Sequence, residues 1–264
     1  RRPPRASRVP YSTRGRADPR KIKKALKPNT VLVSVMYANN EIGTVQPIQE
    51  IAKEIRHFRK SSKKLQFPIF HTDATQAINY LSINVEKLGV DLMSFNAAKI
   101  YGPKGIGVLF RKRNVRLTPI MYGGNQEFGT RAGTENIVSI VGLSEALKIT
   151  EQIKEKEIKR LTSLRDYFIK KLKKINTQII FNGDLKNRLP NNVNITIPSI
   201  PSDLLVIELS TKGVMASAKS ACKSGDGKAS HVIMAINQES KDTDGSLRFS
   251  LGRGTNKKDT DYTV

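Results

Sequence analysis

The run Val31–Met36 constrains the fold more than any other feature, because it is nearly continuously apolar and rich in β-branched residues. Such a run is typical of a β-strand that is covered on both faces. A helix is predicted from Pro47, since the apolar residues after it recur at the spacing of one buried helix face. These residues are Ile48, Ile51, Ala52 and Ile55. The succession of strand and helix predicts an α/β layer architecture with a mixed or mostly parallel sheet.

Short apolar runs predict three further strands in the first half of the chain, at Phe67–His71, Asp91–Phe95 and Gly105–Phe110. An earlier helix is predicted at Asp18, a good N-cap residue, with Pro19 at the first helical position.

The second half of the chain predicts a smaller α+β domain. Residues 134–175 are helical in pattern, as one long helix or as two in succession. Strands are predicted at Gln178–Phe181, Val193–Ile197 and Leu247–Leu251, and a helix at Ser202–Leu209.

Composition adds a boundary near the N-terminus. Residues 1–16 hold six Arg, three Pro and no acidic residue, unlike the Lys-, Ile- and Asn-rich remainder. We therefore interpret residues 1–16 as a basic tail or an ill-fitting start. Residues 17–150 are the predicted large α/β domain, here incomplete, and residues 151–264 the small α+β domain.

Charge and cysteine content narrow the classes of function. Forty-six Lys and Arg against 23 Asp and Glu give a formal net charge of +23, which raises a polyanion-binding role as a remote alternative. The positive residues are scattered through helical stretches, which is typical of solvated faces, so nucleic acid is not favoured. One cysteine cannot form an internal disulfide, and no apolar run approaches the roughly 20 residues of a membrane span. We expect a cytoplasmic protein without a metal site.

Two strand exits carry residues that suit pyridoxal phosphate (PLP). Lys99 precedes a Gly/Pro turn, and a PLP enzyme needs a lysine amine that binds the cofactor covalently and moves protons. Asp73 could hold the proton on the pyridine nitrogen and Gln76 could reach the phenolic oxygen. Each has an ordinary alternative, because Lys99 could simply be exposed and Asp73 could cap a helix. We interpret His71 as a core or sheet-end histidine.

Cys222 lies in a small, polar segment with two lysines within three positions. Such surroundings lower the pKa of a thiol and expose it. An incidental surface thiol is the alternative.

Six motifs occur in the order seen in cysteine desulfurases: Ala38–Pro47, His71–Gln76, Lys99–Gly105, Gly129–Asn136, Ser220–Ser224 and Leu247–Arg253. From about Gly15 to its last residue the chain resembles that family, within the class V aminotransferases. The resemblance implies a PLP-dependent aminotransferase-like fold (fold type I), with a large α/β and a small α+β domain.

The resemblance also implies roles at the cofactor. Lys99 matches the lysine that binds PLP covalently, Asp73 the carboxylate on the pyridine nitrogen, and Gln76 the partner of the phenolic oxygen. Asn40 matches an asparagine beside cofactor and substrate. Thr134 matches a threonine that reaches the cofactor phosphate of the other subunit, so a homodimer is implied.

For the substrate, Arg248 matches the arginine that holds the carboxylate of L-cysteine. Cys222 matches the nucleophile that takes the sulfur as a persulfide and leaves alanine. The implied partner is an iron–sulfur scaffold or another sulfur acceptor, with a transient contact between Cys222 and an iron–sulfur cluster. Selenocysteine could follow the same path.

Two departures from the family bear on these roles. Asn96 and Ala98 stand where the family usually has a serine and a histidine near the phosphate, and Asn96 retains a hydrogen-bond donor. Relatives also begin well before this chain, with a Gly/Thr phosphate loop and a histidine that stacks on the ring. We therefore expect an incomplete sequence at both ends. An inactive homologue and a different class V reaction remain alternatives.

Overall fold

The computed structural model describes residues 6–62, 66–218, 230–236 and 245–264. The chain divides into two compact units. The four-stranded unit comprises Lys27–Tyr37 and Ile48–Lys154, and the three-stranded unit comprises Arg1–Leu26, Ala38–Pro47 and Glu155–Val264. The domain boundaries expected from the sequence remain predictions.

The sheet of the four-stranded unit is mixed, as predicted. Its strands are β1 (Leu32–Met36), β2 (Ile69–Asp73), β3 (Leu92–Asn96) and β4 (Gly107–Arg111), in the order β1-β2-β3-β4. The first three strands are parallel, and β4 is antiparallel to β3. The carboxyl ends of β1, β2 and β3 therefore lie at one edge of the sheet.

Helix α2 (Ile48–Ser61) confirms the predicted buried face, because Ile48, Ile51, Ala52 and Ile55 are all buried. A short helix α3 (Val85–Leu88) follows β2; Asn84 caps its start and Gly89 ends it with a left-handed backbone.

The expectation that the first strand is covered on both faces is wrong for its first half. Val31 and Leu32 are 56% and 51% exposed, whereas Val35 is 7% exposed. Among the described strands β1 pairs with β2 alone and lies at the end of the sheet order, so little packs against its beginning. The β-branched residues here fit the pleated surface of a partly buried strand and do not require burial of both faces. Strand β2 also begins two residues later than predicted, after Pro68, which has no N–H for a ladder.

The three-stranded unit carries an antiparallel sheet, in the order β5-β6-β7. Its strands are β5 (Ile180–Phe181), β6 (Asn192–Thr196) and β7 (Ser246–Ser250). Helix α1 (Pro19–Ala25) begins as predicted, with Asp18 Oδ1 accepting from the Arg20 backbone N–H at 2.8 Å. The remaining described helices of this unit are α5 (Ser202–Thr211), α6 (His231–Ile236) and α7 (Lys257–Thr263).

The segment that was predicted as one helix or two is a single helix, α4 (Ile137–Ile175), of 39 residues. Its C-terminal part packs on the three-stranded sheet, where the rings of Phe168 and Phe249 meet edge to face with centroids 5.2 Å apart. None of the described helices is long and apolar enough to cross a membrane.

Part of the N-terminal segment predicted as a tail is hydrogen bonded within the three-stranded unit. Gln46 accepts from the Ala17 backbone N–H and donates to the Gly15 carbonyl, both at 2.8 Å. Thr44 Oγ1 donates to the Arg14 carbonyl at 3.0 Å. These bonds hold residues 14–17 against the segment that carries Asn40.

Candidate active site

Lys99 lies at the carboxyl end of β3, in a single 3-10 turn over Ala97–Lys99. Ala97, the first residue of this turn, and Ile100, which follows it, are fully buried, and the Lys99 side chain is exposed. The Ala97 carbonyl accepts backbone N–H groups from both Ile100 and Gly102, at 3.0 and 2.9 Å. The backbone of Lys99 is thus fixed by burial and hydrogen bonds while its amine is accessible.

Asp73 is the last residue of β2, which is the parallel neighbour of β3. It pairs in register with Ser94, two residues before the end of β3. Because parallel strands end at the same edge of a sheet, Asp73 and Lys99 lie at one sheet edge, where ligands of α/β proteins bind.

The alternative role for Asp73, a cap at the start of a helix, is confirmed only in part. Its Oδ1 accepts from the Thr75 backbone N–H at 2.8 Å, but residues 75–80 form turns rather than a helix. Within the described part of the chain, Asp73 Oδ2 has no hydrogen-bond partner. One carboxylate oxygen therefore orders the turn, and the side chain as a whole is exposed.

The turn after Asp73 carries Gln76 and Asn79. Gln76 is half-buried, and the side-chain amide of Asn79 donates to the Lys99 carbonyl oxygen. Sequence reasoning missed Asn79, for which the only signal was its place three residues after Gln76. This hydrogen bond links the turn after the carboxyl end of β2 to the turn after the carboxyl end of β3.

Asn96, the last residue of β3, is half-buried, and its Oδ1 is buried without a hydrogen-bond partner among the described residues. Ala98 is exposed and offers no polar group. An amine, two side-chain amides whose NH2 groups donate, and a carboxylate that accepts from a pyridine N–H are the kinds of groups that PLP requires. The residues present therefore fit this cofactor.

His71 lies within β2, half-buried rather than in the core, and its ring is held from both sides. Its Nδ1 lies 2.8 Å from Ser34 Oγ on β1, and its Nε2 lies 3.1 Å from Ser94 Oγ on β3. Burial lowers the pKa of His71, and the Asp73 carboxylate opposes this shift. The two serines gave no signal in the sequence.

Thr134 is exposed, in the segment between a 3-10 turn over Gln126–Gly129 and helix α4. Large apolar side chains near it in sequence are also exposed, including Ile120 and Phe128 at 94% each. No described hydrogen bond joins Thr134 to Lys99 or to Asp73.

In the three-stranded unit the structure brings Arg248 and Asn40 together. Arg248, on β7, donates from Nη1 to the Asn40 carbonyl oxygen at 3.2 Å. Its Nε is buried and, among the described residues, has no partner. Burial lowers the pKa of Arg248, and the charge of Glu41 opposes that shift. Cys222 lies outside the described residues.

Comparison with known proteins decides the family. The model of the aminotransferase class-V family matches residues 3–262. The chain belongs to the class-V aminotransferases. This class-V chain is 42% identical over 256 residues to a protein named cysteine desulfurase IscS from Dictyoglomus turgidum, covering 97% of this chain and 63% of that protein.

Solved structures agree with this membership. The class-V chain resembles a NifS-like protein with a TM-score of 0.86 and 31% identity, over 97% of this chain and 65% of that one. A NifS-like protein from Rickettsia africae gives 0.84 and 28%, over 96% and 66%. The expected aminotransferase-like fold of type I is confirmed. The chain spans about 63% of the length of the curated relative.

Proposed function

We propose that this class-V aminotransferase binds PLP and converts L-cysteine to L-alanine, with the sulfur taken up as a persulfide on Cys222. The observation that carries the proposal is the shared sheet edge of Lys99 and Asp73, at the ends of adjacent parallel strands. The ordered motifs and the similarity to proteins named cysteine desulfurase support the choice of reaction.

Four residues of the four-stranded unit would hold the cofactor. Lys99 would bind it covalently, Asp73 would keep a proton on the pyridine nitrogen, and Gln76 would donate to the phenolic oxygen. Asn96 would donate its amide to the phosphate, in place of the family's serine. When bound, PLP withdraws electrons from the α-carbon of the substrate. The Lys99 amine, released as the substrate binds, would then take the α-proton.

Arg248 and Asn40 would bind the amino acid. The planar guanidinium of Arg248 suits a carboxylate, and its buried, unpartnered Nε is a donor for one. The Cys222 thiolate would form a bond to the substrate sulfur as the bond from that sulfur to the β-carbon breaks. Overall, cysteine and one thiol give alanine and one persulfide, so atoms and electrons balance without a further reactant.

The proposal includes a homodimer and a sulfur acceptor. Thr134 would reach the phosphate of a second copy, and the exposed apolar residues near it in sequence are typical of a surface that another chain covers. These residues are Ile120, Tyr122, Phe128, Ile137, Val138 and Val141. An iron–sulfur scaffold or another acceptor would receive the sulfur from Cys222. We place the protein in the cytoplasm, because one cysteine cannot form an internal disulfide.

Borohydride reduction of the PLP-treated protein, followed by peptide mapping, tests the assignment at its centre. We expect a pyridoxyl label on Lys99 in the wild type, loss of the label in Lys99→Ala, and retention in the control Lys104→Ala. Alanine release from cysteine is measured on the same samples. A label on Lys104 or elsewhere would overturn the assignment, and labelling without alanine release would favour another class V reaction such as transamination.

A further inference from the structure

Glu41 is a buried carboxylate that the proposed reaction does not use. It is 2% exposed, and its Oε2 accepts a hydrogen bond of 2.5 Å from Ser230 Oγ. The Ser230 hydroxyl oxygen accepts in turn from the backbone N–H groups of Val232 and Ile233, so it caps helix α6. A buried carboxylate costs free energy unless hydrogen bonds and a nearby positive charge compensate it.

Arg248 is the positively charged residue that contacts this segment within the three-stranded unit. Its Nη1 donates to the carbonyl oxygen of Asn40, the residue directly before Glu41. Asn194, which pairs with Arg248 across β6 and β7, donates its side-chain amide to the Glu41 carbonyl oxygen at 3.2 Å. The charge of Glu41 raises the pKa of Arg248 against the effect of burial, in line with this placement.

The two charged groups share no hydrogen bond among the described residues. Within the described ranges, no ion pair joins Glu41 to Arg248, and Ser230 donates to Oε2 of its carboxylate. Arg248 therefore uses Nη1 on the Asn40 carbonyl oxygen and keeps its buried Nε for a ligand, with the Glu41 carboxylate on the residue next to Asn40. Its buried Nε, which has no described partner, is the donor with most to gain from an added carboxylate.

We propose that Glu41 is a positioning residue that acts through Arg248, as a fixed countercharge that limits how tightly Arg248 holds an amino-acid carboxylate. This inference rests on the substrate role proposed for Arg248. Cysteine and alanine carry the same carboxylate, so a guanidinium that held it too tightly would slow release of the product as much as it favoured the substrate. Glu41 offsets that excess attraction without occupying the donors.

The sign of the effect separates this role from a merely structural one. Glu41→Gln keeps the size and the acceptor for Ser230 but removes the charge, so L-alanine should bind more tightly, whereas local damage would weaken binding. We expect the dissociation constant of L-alanine to fall about fivefold or more. The measurement is an NMR titration of the Arg248 Nε–H resonance with L-alanine, in the chain with and without PLP. Glu208→Gln, the same change on the exposed side of α5, is the matched control.

Ser217→Asp gives an independent test in the opposite direction. The backbone of Ser217 exchanges both hydrogen bonds with Arg248, at 2.7 and 3.2 Å, which places the two side chains on the same side of the pair. A carboxylate at residue 217 should weaken alanine binding about fivefold, and the neutral Ser217→Asn should not. In the PLP-loaded enzyme, Glu41→Gln should lower kcat and KM for cysteine together.

Each outcome of these measurements either supports or overturns the inference. Unchanged or weaker alanine binding in Glu41→Gln overturns the inference; if that variant does not fold, unchanged binding in Ser217→Asp does so. If the Arg248 Nε–H resonance of the wild type does not shift when L-alanine is added, both the inference and the substrate role of Arg248 are overturned. If alanine binding depends on the charges at residues 41 and 217 as expected but the PLP-loaded enzyme does not release sulfur from cysteine, only the proposed reaction is overturned.

Discussion

The side-chain amide of Asn79 donates a hydrogen bond to the carbonyl oxygen of Lys99, across 20 residues of sequence. The turn that follows Asp73 thereby holds the segment that presents the lysine. Asn79→Ala should cost about 1 kcal/mol in the free energy of unfolding, the net value of one such bond. It should also slow borohydride-trapped labelling of Lys99 by PLP.

A matched variant separates the two effects. Asn84→Ala removes the cap of α3 in the same unit, with a similar expected loss of about 1 kcal/mol. It should leave the labelling rate unchanged. Equal labelling in Asn79→Ala and the wild type would show that the bond supports folding only.

Arg248→Lys keeps the positive charge but loses the planar pair of donors. Transition-state stabilisation should fall by about 2–3 kcal/mol, as expected for the loss of a charge-assisted hydrogen bond. Steady-state desulfuration of cysteine measures this loss as a fall in kcat/KM. Arg20→Lys, on the surface of α1, is the control, and unchanged kinetics in Arg248→Lys would count against the carboxylate role.

Cys222→Ser should separate cofactor chemistry from sulfur transfer. A serine hydroxyl is essentially un-ionised near neutral pH and cannot hold a persulfide, so alanine release from cysteine should fall to background. PLP binding, and the absorbance change that cysteine causes in the bound cofactor, should be retained. Ser220→Ala, a small change in the same motif, should keep full activity. Alanine release at the wild-type rate from Cys222→Ser would make the thiol incidental.

His71 predicts a pH dependence of stability in the acid range. Burial lowers its pKa in the folded state, so near its usual pKa of about 6.5 the unfolded chain binds more protons than the folded one. The stability that neutral His71 provides is present above the unfolded pKa and is lost as the pH falls through the folded pKa. Urea unfolding midpoints at about pH 7.5 and about pH 5 should therefore differ more in the wild type than in His71→Gln. His57→Gln, at an exposed position on α2, should keep the wild-type difference.

Local patterns in the sequence predicted much of the fold. The spacing of Ile48, Ile51 and Ile55 predicted the buried face of α2, and Asp18 before Pro19 predicted the start of α1. Lys99 and Asp73 were predicted at strand exits, because a short apolar run ending in polar residues is a local signal. That their strands are adjacent and parallel follows from pairing, which depends on residues far apart in sequence.

The contacts that sequence reasoning missed are all long-range. Ser230 and Glu41 are 189 residues apart, and nothing in the motif Ala38–Pro47 that contains Glu41 indicates which residue its carboxylate contacts. The serines that hold His71 come from two other strands, and serine is too common to mark such a contact. The exposure of Leu32 was missed for a related reason, because composition reports strand preference whereas burial depends on what packs against the strand.

The register between Asp73 and Ser94 restricts how this protein can change in evolution. Side chains alternate between the two faces of a strand, so the deletion of one residue within β2 would turn Asp73 to the opposite face while Lys99 stayed in place. The same deletion in the connection between α2 and β2 would be absorbed without moving either residue, since connections tolerate changes in length. Insertions and deletions in related genes should therefore accumulate between the strands and avoid β2 and β3. An alignment of family sequences should show constant lengths for these two strands and variable lengths for the connections.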